Sequence, residues 1–261
     1  MSQKRKILIF EDTYTLTNYL LDKWVAVAEE SIARNNRFTV ALSGGRSPME
    51  FYCKLSSLEE FGFWQRTHIF LGDERFVGRD DSNSNFKMIK ESLLDYVNIP
   101  PENIHPVATD QKNVDLAAES YKNELVHFFE FNENNAPRFD LILLGMGIDG
   151  HTASLFPDDE RIDDPGRLVL PVSLPHLKHE RISLSLPVIN NARHVIGLVL
   201  GATKADIFSE IVEKNLRVPA SKVSPADGQL TYLLDKEAAR KLPYRESYSH
   251  EGQGVFYEFG K

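Results

Sequence analysis

The sequence predicts an α/β fold: a single three-layer, doubly wound, mainly parallel sheet with helices on both faces. Three observations carry this. Apolar runs of strand length alternate with longer amphipathic runs nearly throughout, the pattern of successive βα units. Several apolar runs end in glycine-rich or polar turns: SGGRSP at 43–48, GDER at 72–75, GMGIDGH at 145–151 and GATK at 201–204. No internal repeat, low-complexity tract or linker divides the 261 residues, a length that one large α/β domain accommodates.

Residues 7–10 are a short strand, and Asp12 or Thr13 can cap the helix that follows. Its apolar positions Leu16, Tyr19, Leu20, Trp24, Val27 and Ile32 fall at helical spacing. Residues 38–42 are the next strand. The turn at 43–48 follows, with Pro48 placed to open a helix that carries Met49, Phe51, Tyr52 and Leu55; Cys53 in this pattern reads as a buried filler. Residues 68–71 are a strand running into Asp73, Glu74 and Arg75. A polar loop at 80–85 precedes a helix at 86–94, and Pro100 and Pro101 break the chain.

Residues 114–131 form a long amphipathic helix, and 132–137 a polar connection. The run LILL at 141–144, closed by Gly145, reads as a strand buried on both faces. Gly145, Gly147 and Gly150 then make a turn where backbone can approach a ligand closely. Residues 152–156 can start a short helix, stopped by Pro157. Residues 158–167 are an acidic loop, 182–186 and 194–200 are strands, and 201–204 leads into a helix ending near Lys214. Residues 230–234 are a last strand, with Asp235 capping a short helix. The chain thus reads as one α/β domain over 1–243 and a polar, aromatic-rich tail of unassigned role over 244–261.

Composition narrows the function. The formal net charge is −8, which argues against a nucleic-acid or membrane-surface partner, since either calls for a basic stripe. An anionic substrate must then be met by a local basic cluster. One cysteine rules out an intrachain disulfide and a cysteine metal cluster. The start, MSQKRKILIF, is too short in apolar residues for a signal peptide or a membrane span, so a cytoplasmic location is the default expectation. Oligomeric state is left open.

In a parallel sheet the C-terminal strand ends share one edge, where ligands bind, so the four turns can converge. SGGRSP before a helix offers free N–H groups to an anion such as phosphate; it also reads as a plain strand–helix turn. Lys204 at a strand end adds a positive charge, and the 73–75 triplet reads equally as a charged surface loop. Asp149 with His151 is sharper, because histidine can take a proton near neutral pH; the plainer reading has His151 capping a helix and Asp149 bracing the turn.

Three motifs are decoys. Gly145-x-Gly147-x-x-Gly150 fits a dinucleotide fingerprint but lacks the acid about 20 residues on. Asp81-x-Asn83-x-Asn85 resembles a calcium loop, yet Phe86 and Ser92 stand where glycine and glutamate are needed. His176 and His179 lack a third zinc ligand. No GxSxG elbow or Walker loop occurs, so hydrolysis would use activated water.

Together SGGRSP, GDERFV, GMGIDGHTASLFP, RISLSLPVINNA and GATK, in this order, resemble the 6-phosphogluconolactonases over roughly residues 7–242. The related glucosamine-6-phosphate deaminases normally carry a catalytic glutamate soon after the DGH turn, and residues 152–157 hold no acid. Sugar-phosphate sensor domains with a related sheet come with a helix-turn-helix segment that this chain lacks. The resemblance implies hydrolysis of 6-phospho-D-glucono-1,5-lactone to 6-phosphogluconate in the oxidative pentose phosphate pathway, on a small-molecule phosphosugar lactone, with no metal or organic cofactor. It implies His151 as general base, Asp149 orienting His151 or a substrate hydroxyl, Arg75 stabilising the oxyanion, and Asp73 binding hydroxyls or fixing Arg75. Ser43, Gly44, Gly45, Arg46, Arg181 and Lys204 are its phosphate-site candidates. One departure is Tyr232, where the family usually has tryptophan.

Overall fold

The computed structural model describes residues 5–58, 61–130 and 137–243, with the backbone of Val255–Phe259. The strands are β1 (Arg5–Phe10), β2 (Phe38–Leu42), β3 (Thr67–Leu71), β4 (Asp73–Arg75), β5 (Ile104–His105), β6 (Leu141–Gly145), β7 (Val169–Val172), β8 (Arg181–Leu184), β9 (His194–Val199), β10 (Gln229–Asp235) and β11 (Val255–Phe259). The helices are α1 (Thr13–Asn35), α2 (Arg46–Ser56), α3 (Asn85–Ser92), α4 (Val114–Phe129), α5 (Leu186–Ile189), α6 (Ala205–Glu213), α7 (Pro219–Lys222) and α8 (Lys236–Ala239).

Among the described residues the main sheet has the order β11-β1-β10-β9-β6-β2-β3-β5. Its first seven strands in sequence terms run parallel; β11 alone pairs antiparallel, against β1. The predicted three-layer α/β architecture therefore holds. From β2 the chain builds outward through β3 and β5. It then returns to β6 on the other side of β2 and builds the opposite way through β9 and β10. The reversal falls between β2 and β6, and at such a switch point the outgoing connections diverge and leave a crevice.

The interior strands are buried along their whole length because both faces are covered, as for LILL of β6 and every residue of β2. Asp12 caps α1 by accepting the Thr15 N–H at 2.8 Å, and Leu16, Leu20, Trp24, Val27 and Ile32 turn inward. Tyr232 is buried, donates to the Ala220 carbonyl at 2.9 Å and fills the space beside Gly197.

Several local expectations are corrected. Cys53 is exposed rather than buried, because the buried positions Phe51, Tyr52 and Leu55 define a helix face that Cys53 is turned away from; Met49 is also exposed. Helix α2 starts at Arg46, with Pro48 in its first turn, where no N–H is needed. Residues 152–156 do not form a helix. Thr152 and Leu155 bridge each other through backbone hydrogen bonds of 3.4 and 2.9 Å, with Ala153 at φ 48°. Residues 73–75, read as a turn, are a strand of a second sheet ordered β4-β8-β7, all antiparallel. Strand β8 covers 181–184, and Ser185 then caps α5. Strands β5 and β7, two and four residues long, fall in stretches that the sequence pattern leaves unassigned. The tail beyond Pro243 lies outside the described residues except for the β11 backbone, which extends the sheet edge.

At the β3–β5 edge the His105 ring lies flat on Phe70, 4.0 Å between centroids. Its Nδ1 is 2.7 Å from Glu124 Oε1 and its Nε2 is 3.3 Å from His68 Nδ1. Burial is the largest cause lowering both imidazoles, and the charges of His105 and Arg37 push His68 down further, to about 4. The fold thus favours neutral rings, while the unfolded chain takes up protons from 6.5 downward. Stability is therefore full above that pH and is lost as pH falls toward 4. Melting temperature is expected to drop across this window and His68→Leu to flatten the drop. An unchanged slope in that variant would clear His68 of the effect.

Candidate active site

The turns after β2, β3, β6 and β9 meet in one cleft of about 460 Å³ at the switch point. Ser43, Gly44, Gly45, Arg46, Asp73, Arg75, His151, Arg181 and Lys204 all line it. Asp149 stands behind His151 instead. A larger cavity of about 710 Å³, with Arg5, Asp163, Arg217 and Lys222 in its wall, takes in the N-terminal end of β1 and none of these four turns.

The β6 turn makes the acid–base pair. Gly147 N–H donates to the His151 carbonyl at 2.8 Å, which bends 147–151 into a tight loop. His151 Nδ1 then lies 2.6 Å from Asp149 Oδ1, and the same oxygen accepts the His151 backbone N–H at 3.1 Å. Burial works against the Asp149 charge, but the hydrogen bonds and charge of His151 hold its carboxyl below the usual range. An ionised carboxylate only accepts, so the network assigns the Nδ1 proton and leaves Nε2 as a base. The ring packs on Phe156, 4.6 Å between centroids.

Gly145 and Gly147 line the cleft, with open space beside Gly145, and two glycines of this turn also serve its packing. A β-carbon on Gly147 would lie 2.2 Å from His151 Nδ1 and 2.4 Å from Asp149 Oδ1, so Gly147 is the space that the pair occupies. Gly150 has φ 80° and packs on Val218, which a β-carbon would meet at 2.5 Å. Its carbonyl accepts the Ala220 N–H at 2.9 Å.

The second sheet supplies cations. In β4–β8 register Arg75 stands directly opposite Arg181, an arrangement that is unfavourable without a shared anion. Burial, then the charge of Arg75, lowers the Arg181 guanidinium. Both Nε groups are buried without a partner among the described residues. Arg75 Nη1 donates to the Asn83 carbonyl at 2.7 Å. Lys204 adds a third positive charge, with its ammonium lowered mainly by burial while Asp149 pulls it the other way.

The β2 turn supplies N–H groups. Gly45 is the N-cap of α2 and no side chain caps it, so the positive helix end opens on the cleft. Arg46 is exposed there. Ser43 is buried, its hydroxyl lacking a partner among the described residues. Asp73 is buried, accepts from Ser154 Oγ at 2.6 Å and keeps its second carboxylate oxygen for another donor.

Sequence reasoning missed Asn85, Ser154, Phe156 and Leu177 in the lining. Ser154 and Phe156 were visible inside GHTASLFP. In the sequence Asn85 belongs to the calcium-like decoy, which is in fact a turn where Asp81 Oδ1 accepts from Asn83 at 2.7 and 2.8 Å. No local signal marks Leu177. Among the described residues no group of three or more His, Cys, Asp or Glu side chains is placed to hold a metal. No described helix is long and apolar enough to cross a membrane. The cleft can bind an anion and move a proton at one atom, His151 Nε2.

The family profile described as glucosamine-6-phosphate isomerases/6-phosphogluconolactonase matches residues 11–232. The chain is 39% identical to a 6-phosphogluconolactonase of Synechocystis over 216 residues, 82% of this chain and 88% of that one. A 6-phosphogluconolactonase of Nostoc is 35% identical, covering 92% and 99%. The solved structure of 6-phosphogluconolactonase from Thermotoga maritima superimposes with a TM-score of 0.77 at 32% identity, covering 89% of this chain and all of that one.

Proposed function

This chain belongs to the glucosamine-6-phosphate isomerase/6-phosphogluconolactonase family, and on that premise we propose that its reaction, hydrolysis of 6-phospho-D-glucono-1,5-lactone in the oxidative pentose phosphate pathway, is driven by water that His151 activates. The observation that carries this reading is the placement of a histidine base, oriented by Asp149, on the same cleft as four cations, Arg46, Arg75, Arg181 and Lys204, and an uncapped helix end. The absence of any acid in 152–157 sets the chain apart from the deaminase branch.

His151 Nε2 takes a proton from water as the water oxygen bonds to the lactone carbonyl carbon. Asp149 stabilises the imidazolium that forms. Arg75 stabilises the negative charge on the former carbonyl oxygen. The carbon–ring-oxygen bond then breaks, and the ring oxygen recovers the proton from His151 and becomes the C5 hydroxyl. The new carboxylic acid releases its proton to solvent. Asp73 takes a sugar hydroxyl on its second oxygen. The phosphate sits on the α2 N-terminus at Ser43, Gly44, Gly45 and Arg46, with Arg181 and Lys204 closing on it. The substrate is a small phosphosugar and the net charge of −8 disfavours nucleic acid. The single exposed thiol, Cys53, fits a reducing cytoplasm.

The test is the disappearance of freshly generated 6-phosphogluconolactone, set against the enzyme-free rate because the lactone opens spontaneously. Acceleration is expected, with no ammonia released from glucosamine 6-phosphate. A rate equal to the spontaneous one would sink the reading.

A further inference from the structure

Strand β4 alternates, so Asp73 and Arg75 face the cleft while Glu74 points away from it. Glu74 is 1% exposed, and a buried carboxylate is costly unless its oxygens are satisfied. Four donors satisfy it. Oε1 accepts the N–H groups of Arg75 and Asn85, both at 2.7 Å. Oε2 accepts the Phe86 N–H at 2.8 Å and the Ser84 hydroxyl at 3.1 Å. Two of these N–H groups belong to the first turn of α3, where the helix end favours a negative charge. Helix α3 already has a side-chain cap, since Ser84 Oγ accepts the Lys87 N–H at 3.1 Å. Two of the four donors, the Arg75 N–H and the Ser84 hydroxyl, lie outside the helix, so Glu74 does more than cap α3.

The rest of its surroundings lead to the cleft. By gathering both ends of the 75–86 segment, Glu74 folds that segment back over β4. Asn83 is thereby set against Arg75, whose Nη1 donates to its carbonyl at 2.7 Å. Asn85 Nδ2 donates to the Asp73 carbonyl at 2.9 Å. The amide oxygen of Asn85 lies so close to Gly44 that a β-carbon there would meet it at 1.8 Å. One buried carboxylate thus ties the Arg75 guanidinium, the Asp73 backbone and the turn after β2 into one piece.

We propose that Glu74 is a positioning residue, which never touches substrate but sets the Arg75 guanidinium in the cleft by closing the 75–86 segment on β4. The proposal rests on the reading of Arg75 as the cation that meets the lactone carbonyl oxygen, an oxygen that the product keeps in its carboxylate. Glu74→Gln keeps the size of the side chain and turns one acceptor oxygen into an NH₂ group that faces two donors. The closed segment loosens and Arg75 loses its anchor.

The experiment is a double-mutant cycle read by calorimetric binding of the product, 6-phosphogluconate, on protein shown to be folded by circular dichroism. Glu74→Gln alone is expected to weaken product binding roughly tenfold, the scale of one lost charge-assisted hydrogen bond. In an Arg75→Ala background it should add no further loss. An equal loss in both backgrounds would overturn the proposal, as would wild-type affinity in Glu74→Gln with only a lower melting temperature. If Arg75→Ala by itself leaves binding intact, the reading of Arg75 fails first and takes the proposal with it. Glu74→Asp, which keeps the charge but is too short to reach all four donors, gives the same readout should the glutamine variant not fold.

Discussion

His151→Ala is expected to cut kcat by about 10²–10⁴-fold, the usual cost of removing a general base, while the protein stays folded and still binds 6-phosphogluconate. The fold should survive because the side chain is one-third exposed and its ring serves no helix as a cap: residues 152–156 are a turn held by their own backbone bonds. Binding should survive because the proposed phosphate contacts, from α2, Arg181 and Lys204, do not involve His151. Initial rates and product titration on the same preparation check both halves. A variant with wild-type turnover would remove His151 from the chemistry and shift attention to Asp73, the carboxylate that lines the cleft.

Gly147→Ala should be nearly as damaging, for a steric reason. Glycine 147 is not among the positive-φ residues, so its backbone accepts alanine. The new methyl carbon, however, falls 2.2 Å from His151 Nδ1 and 2.4 Å from Asp149 Oδ1, well inside contact distance. One of the pair must move, and the 2.6 Å bond between them goes with it. A loss of roughly 10²-fold in kcat is expected from a base that is misplaced by about 1 Å. Stability should fall by only about 1–3 kcal/mol, the range for overpacking. Rate and urea midpoint measured together decide the matter: a large stability loss with an unchanged rate in the folded fraction would mean the pair had re-formed around the methyl.

The two variants test different things that the sequence exposes unequally. The DGH turn and its histidine are legible because they follow a strand of the right length and composition. The use of Gly147 is not, because what it makes room for is a contact between residues two and four positions away whose geometry depends on the loop closing. Asn85 and Glu74 illustrate the same limit. In the sequence one belongs to a polar loop and the other to a charged triplet. Only the return of 75–86 over β4 makes them the packing around Arg75.

What the sequence determined by itself is what short-range pattern can carry. Period and length of apolar runs, with cap residues, specified strands β1, β2, β3, β6, β8, β9 and β10 and helices α1, α2, α3, α4, α6 and α8, within a few residues. Parallel strands then put their turns on one edge by the geometry of the βα unit, so the meeting of residues 43–48, 72–75, 145–151 and 201–204 was foreseeable. What tertiary structure alone decided is pairing across long separations. The antiparallel β4–β8 contact brings Arg181 opposite Arg75, across more than one hundred residues of chain. Strand β8 shows in the alternation at 182–186, but β4 is three residues long, too short to leave a periodic signal, and which strands pair is set by partners rather than by local preference. The exposure of Cys53, the turn at 152–156 and the carboxylate of Glu74 under α3 follow the same rule: each was settled by which neighbours the completed fold supplied.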